Sequence, residues 1–304
     1  MKKHAFSFKI IILSLLLLSF SPEVLASTLK TSTPKIKIIA AENFYGELAK
    51  ILGGNYINVT SIISNPNADP HLFAFSPKLS QELMNADIII YNGANYDPWM
   101  EQALNSRNFK TKVSIINVAT LMKVKEGENP HIWYNPSTMP LLARVLAVQI
   151  TSKLEDKVAI SQVKHNLATF LEKYKVVENK VKVMKTKFAG VSVTATEPVF
   201  GLMAKALNFD MQGLDLQWKI MNDTEPSPKM LAQFEQLIIN HKVHLLFYNN
   251  QVTDGTTLQI LEFAHKYHLP SVGVSETMPP SLSIINWFMQ ELNQTESVLA
   301  TSKQ

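Results

Sequence analysis

Short β-branched runs alternate with stretches of helical periodicity along almost the whole chain, and this alternation limits the fold more than any other feature. KIKIIAA (35–41), INVTSII (57–63), DIIIYNG (87–93) and VSIINVA (113–119) read as strands, with helices expected over 42–52, 77–85 and 97–105 between them. Strands fed by helices at this spacing form parallel sheets covered on both faces. The pattern resumes after Gly190, with strands over 191–196, 243–249 and 271–275 and helices over 199–207, 228–240, 256–267 and 283–299. Between the two halves, residues 141–188 contain neither Gly nor Pro. There Val163, Leu167, Phe170, Leu171 and Tyr174 recur at helical spacing opposite Lys164, Glu172, Lys173 and Lys175. Two helices are expected, over 137–154 and 156–187, the second long enough to cross between lobes. The fold class is therefore α/β, with two lobes, each a mainly parallel sheet flanked by helices, joined by one long helix.

The first residues belong to a different kind of segment. Lys2, Lys3 and Lys9 precede the apolar run IIILSLLLLSF, and Val24-Leu25-Ala26 follows with a small residue at the cut. That order is a cleaved secretory signal over 1–26. The apolar run is shorter than the roughly 20 residues that span a bilayer. The expected divisions are the signal at 1–26, an N-terminal lobe at 27–154, a connecting helix at 155–188 and a C-terminal lobe at 189–304. Loss of the signal lowers the formal charge from +4 to about +2, so the basic excess carries no argument for nucleic acid. The chain has no cysteine, which excludes disulfides, thiolate ligands, cysteine nucleophiles and a lipid-modified N-terminus. The expected location is the periplasm, or outside the cell where there is no outer membrane.

In open parallel sheets ligands bind beyond the carboxyl ends of the strands. Four polar residues stand at such ends. His71 lies in NADPHLFAFSP and His131 in NPHIWYNP, while Glu197 lies in TATEPVFG and Glu276 in VSETMPP. Two imidazoles and two carboxylates make a nitrogen and oxygen site for a divalent first-row ion. Each has a proline close by, which restricts the backbone around it. His241, His244, His265 and His268 fall at helix ends or strand starts and read as caps or solvated side chains, and His165 as a surface residue. The chain has no Gly-x-Ser-x-Gly elbow, no Walker loop, no dinucleotide fingerprint and no His-Glu-x-x-His. The site is therefore read as non-catalytic; the alternative is a secreted zinc metallohydrolase built on the same His and Glu residues.

Six segments, NADPHLFAFSP, NPHIWYNP, TATEPVFGLMAKALNF, EPSP, FYNNQVTD and VSETMPPS, resemble in order the zinc/manganese-type (cluster A-I) solute-binding proteins of bacterial ABC metal importers. The likeness covers nearly all of the chain after the signal. It implies two α/β lobes joined by a rigid helix and one divalent ion, Zn2+ or Mn2+, bound between them as cargo. It also implies delivery to an ABC permease in the inner membrane by a monomer with no nucleic-acid partner. On this likeness the metal ligands are His71, His131, Glu197 and Glu276. Glu276 stands where better-known members carry aspartate, and MKVKEGEN (122–129) replaces the long His-rich loop of many zinc-type members.

Overall fold

The computed structural model describes residues 35–65, 73, 76–105, 113–251 and 255–301. The expected signal segment and His71 lie outside the described residues. In the N-terminal lobe, β1 (Ile36–Glu42), α1 (Asn43–Gly53), β2 (Ile57–Ile63), α2 (Pro77–Met84), β3 (Ile88–Tyr91), α3 (Pro98–Asn105), β4 (Ser114–Asn117) and α4 (Val118–Met122) follow in order. Next come α5 (Thr138–Thr151) and the 32-residue α6 (Lys157–Phe188). The C-terminal lobe holds β5 (Ser192–Ala195), α7 (Gly201–Ala206), β6 (Asp210–Gln212), α8 (Leu214–Met221), α9 (Pro228–Ile239), β7 (Leu246–Asn249), α10 (Gly255–Lys266), β8 (Ser271–Val274) and α11 (Ile284–Thr301).

Both sheets are parallel throughout and wound in the same order, β2-β1-β3-β4 and β6-β5-β7-β8. The strands alternate as a two-sided sheet requires. Ile38, Ala40, Ile88 and Ile90 face one core, while Ile39, Ala41, Ile89 and Tyr91 face a second one beneath α2 and α3. In the C-terminal sheet Val193, Ala195 and Phe247 face the first core, and Leu246 turns to a third beneath α8, α9 and α10.

The first core runs unbroken through both lobes. Phe44 and Trp133 from one side meet Phe200 and Phe247 from the other, with Tyr174 and Phe188 of α6 and Trp287 and Phe288 of α11 between them. Burying each such Phe contributes roughly 1.5–3 kcal/mol. Helix α6 begins on Asp156, whose Oδ1 accepts from the Val158 N–H at 2.8 Å, and buries Val163, Phe170, Tyr174, Val177, Val181, Met184 and Phe188 along one stripe. Helix α11, read from sequence as part of the second half, packs on α6, β8 and α1, so it is a second long element shared by the lobes. The sequence left 208–227 unassigned; the short edge strand β6 and α8 fill it.

Candidate metal centre

The carboxyl ends of the two sheets meet, and three of the four expected ligands are described there. His131 follows Pro130 on the stretch leading into a short 3-10 turn at Ile132–Tyr134, and it is fully buried. Glu197 follows β5 with extended backbone ahead of Pro198, and Glu276 follows β8; both are buried carboxylates. His131 Nε2 faces Glu276 Oε1 at 3.8 Å across the lobe boundary. Two donors sharing one tetrahedral zinc at roughly 2.0–2.2 Å would stand about 3.4 Å apart, so this pair needs little movement to chelate. Among the described residues no three His, Asp or Glu side chains group closely enough to hold an ion by themselves.

Each member of the pair is held by neighbours. Glu276 Oε1 accepts from Asn249 Nδ2 at 2.8 Å, and its Oε2 accepts from the Tyr96 hydroxyl at 3.2 Å. Gln251 Oε1 takes the backbone N–H groups of Glu276 and Thr277 at 2.8 and 3.0 Å. The following loop is fastened to the other lobe: Asn43 both donates to the Met278 carbonyl and accepts from the Met278 N–H, and Glu47 accepts from the Ile284 N–H. His131 is backed by Trp133 and Tyr96 in edge-to-face contact at 5.3 and 5.8 Å, and Asn129 Oδ1 stands 2.8 Å from its Nδ1. Asn92, at the end of β3, donates to the Pro130 carbonyl at 2.8 Å and so fixes the residue before His131.

Three further buried acids surround this arrangement. Glu42, closing β1, lies beside Asp97, and burial followed by the charge of Asp97 pushes its carboxyl well above the usual range. Asp97 itself rises to about 7 through burial, although the N–H groups of Gly93 and Asn92 reach its two oxygens at 2.8 and 2.7 Å. Those two donors favour the charged form of Asp97, so the pair keeps its proton on Glu42. On α11, burial lifts Glu291 to about 8 against hydrogen bonds from Tyr134, Ser275 and Trp287.

The strand-end rule picks out His131, Glu197 and Glu276 as candidates from sequence and passes over Tyr96, Asn129 and the acids at 42, 97 and 291. Asn249 supports Glu276 through its amide, and Trp133 backs the His131 ring. The usable signal for Asn129 was its place in Asn-Pro-His, two residues before a ligand candidate. His241 and His268 take left-handed backbone (φ 50° and 57°) just past α9 and α10, as helix caps do, and His165 is exposed.

Two similarly wound parallel sheets that meet at their carboxyl ends around buried polar residues from each make the architecture of a two-lobed binding protein. The chain belongs to the family described as zinc-uptake complex component A, periplasmic, whose profile matches residues 38–295. It is an extracytoplasmic binding protein that carries a divalent metal ion to an ABC importer. The manganese ABC transporter substrate-binding lipoprotein ScaA of Streptococcus gordonii is 25% identical over 263 residues, covering 80% of this chain and 82% of that protein. The iron-binding protein YfeA of Yersinia pestis is 20% identical over 288 residues, or 89% and 91% of the two chains. The periplasmic zinc-binding protein TroA of Treponema pallidum superposes with a TM-score of 0.71 at 12% identity, over 88% of this chain and 99% of that one, which is a likeness of fold.

Proposed function

We propose that His71, His131, Glu197 and Glu276 together hold the cargo ion between the lobes, and that the loaded protein docks as a monomer on an inner-membrane permease without any nucleic-acid partner. On this reading residues 1–26 are the removed signal, 27–154 and 189–304 the two metal-binding lobes and 155–188 the connecting helix. The observation that carries the proposal is the facing of His131 Nε2 and Glu276 Oε1 at 3.8 Å, each buried, each held by hydrogen bonds and each from a different lobe. Two neutral imidazoles and two carboxylates bring a charge near −2, which matches a divalent ion and avoids an unpaired buried charge.

The donor set accepts zinc or manganese. Zinc binds such a site more tightly whatever the physiological cargo, while carboxylate-rich ligation suits manganese by type. Relatives carry names for manganese, iron and zinc. The test is metal content by mass spectrometry on protein purified from its native compartment without chelator, beside His71→Ala, His131→Ala and Glu276→Ala. About one equivalent of zinc or manganese in the parent, lost in each variant, is the expected result. Undiminished metal in the variants would overturn the ligand set.

A further inference from the structure

We propose that Asn129 is the positioning residue of the metal centre, a single amide that fixes the tautomer and aim of His131 with its oxygen and grips the Glu197 segment of the opposite lobe with its nitrogen. The inference rests on the reading of His131 as a metal donor and adds to it a residue that touches no metal.

The amide's orientation follows from two partners whose roles are fixed. Its Oδ1 takes the backbone N–H of His131 at 3.0 Å, and a backbone N–H can only donate. Its Nδ2 reaches the Pro198 carbonyl at 2.7 Å, and a carbonyl can only accept. The two assignments agree, so the atom 2.8 Å from His131 Nδ1 is an oxygen, and Nδ1 must carry the ring proton. The lone pair is thereby left on Nε2, the nitrogen that faces Glu276. A metal donor needs that tautomer, and an acceptor on the far ring nitrogen is the usual device for setting it.

The second hand of the amide works across the lobe boundary. Pro198 is the residue after Glu197, so a hold on its carbonyl fixes the backbone from which the Glu197 side chain leaves. Gly201 completes the device. Its backbone is ordinary right-handed helix (φ −58°, ψ −39°), so no unusual dihedral calls for glycine there. A Cβ at this position would stand 2.8 Å from Asn129 Nδ2, closer than real contacts allow. The glycine ending Glu-Pro-Val-Phe-Gly is thus the space through which the asparagine of Asn-Pro-His reaches its carbonyl. The two segments, about 70 residues apart, encode one contact.

The test compares the parent with Asn129→Ala, Gly201→Ala, their double variant, Asn129→Asp and His131→Ala. Zinc and manganese affinities are read by competition with a chromogenic chelator, and the His131 ring nitrogens by 15N NMR on metal-free protein. Asn129→Ala and Gly201→Ala should each weaken binding by about 10- to 100-fold, the usual cost of removing a ligand's hydrogen-bond partner. The double variant should be no weaker than Asn129→Ala, because both changes remove the same contact. The protonated-Nδ1 signature should give way to a tautomer mixture in Asn129→Ala and persist in Asn129→Asp, which keeps the acceptor but loses the donor to Pro198. Full affinity in Asn129→Ala, or losses that multiply in the double variant, would overturn the proposal. Should Asn129→Ala fail to fold, Gly201→Ala and Asn129→Asp decide the matter alone. Loss of binding in His131→Ala together with full affinity in Asn129→Ala would count against the positioning role only; unchanged binding in His131→Ala would remove the donor reading beneath it.

Discussion

At the scale of single residues, Glu276 combines two demands that separate under substitution. Its carboxylate is buried and served by Asn249 and Tyr96, yet a charge there remains costly until a cation arrives. Glu276→Gln keeps one oxygen to accept a hydrogen bond and removes the charge. We expect it to lower metal affinity by at least about 100-fold while leaving the metal-free protein as resistant to denaturant as the parent or more so, which chelator competition and urea unfolding would check. The positions of His131, Glu197 and Glu276 were legible because a strand followed by a polar residue and a proline is a local pattern. The residues that hold them were not. Tyr96 reaches Glu276 across 180 positions and Asn129 reaches Pro198 across 69, and a hydrogen bond between distant segments leaves no periodic trace.

At the scale of elements, helix α11 carries an acid inside its apolar stripe. Glu291 sits four residues after Trp287, on the same face, and its Oε1 collects the Trp287 indole N–H at 2.9 Å and the Ser275 N–H at 3.2 Å. Since Ser275 immediately precedes Glu276, the helix steadies the end of β8 that carries this proposed donor. The carboxyl titrates near 4.5 when unfolded and near 8 when buried, so the folded state holds the extra proton between those values. That contribution to stability is complete below about pH 4.5 and is lost as pH rises toward 8. Glu291→Gln should therefore flatten the fall in metal-free stability over this window by one proton's share, about 1 kcal/mol per pH unit, as read by urea unfolding at a series of pH values. The expected strands and most helices matched the structure within a few residues because each carries a run of apolar positions at its own period. Strand β6 escaped because three residues at a sheet edge, with Asp210 exposed, contain too few alternations to recognise.

At the scale of the whole molecule, the lobes share one apolar core and two long helices. Wide rotation of one lobe against the other would open that core between Trp133, Phe200 and Phe288. Capture and release of the ion are then expected to proceed by small shifts of the loops around Glu197 and Glu276. The absence of cysteine makes this simple to measure. Spin labels at Gln102→Cys on α3 and Gln259→Cys on α10, both exposed, should report a separation that changes by less than about 2 Å when metal is added. A change several times larger would show a hinge. The lobed architecture itself was readable from the two blocks of alternation and the stretch free of Gly and Pro between them. The sharing of one core by both lobes was not, since periodicity tells which face of an element is buried and not against which partner.

His131 and Glu276, the donors proposed above, are split between lobes that lie far apart along the chain. An unfolded polypeptide would have to close a loop of nearly half its length to bring those two groups to one ion, so it competes poorly for metal. The cargo consequently binds the native state almost alone and draws the folding equilibrium toward it, by an amount that grows with free metal concentration. Handing the ion to the importer releases this added stability, and the emptied protein is the more easily unfolded of the two forms.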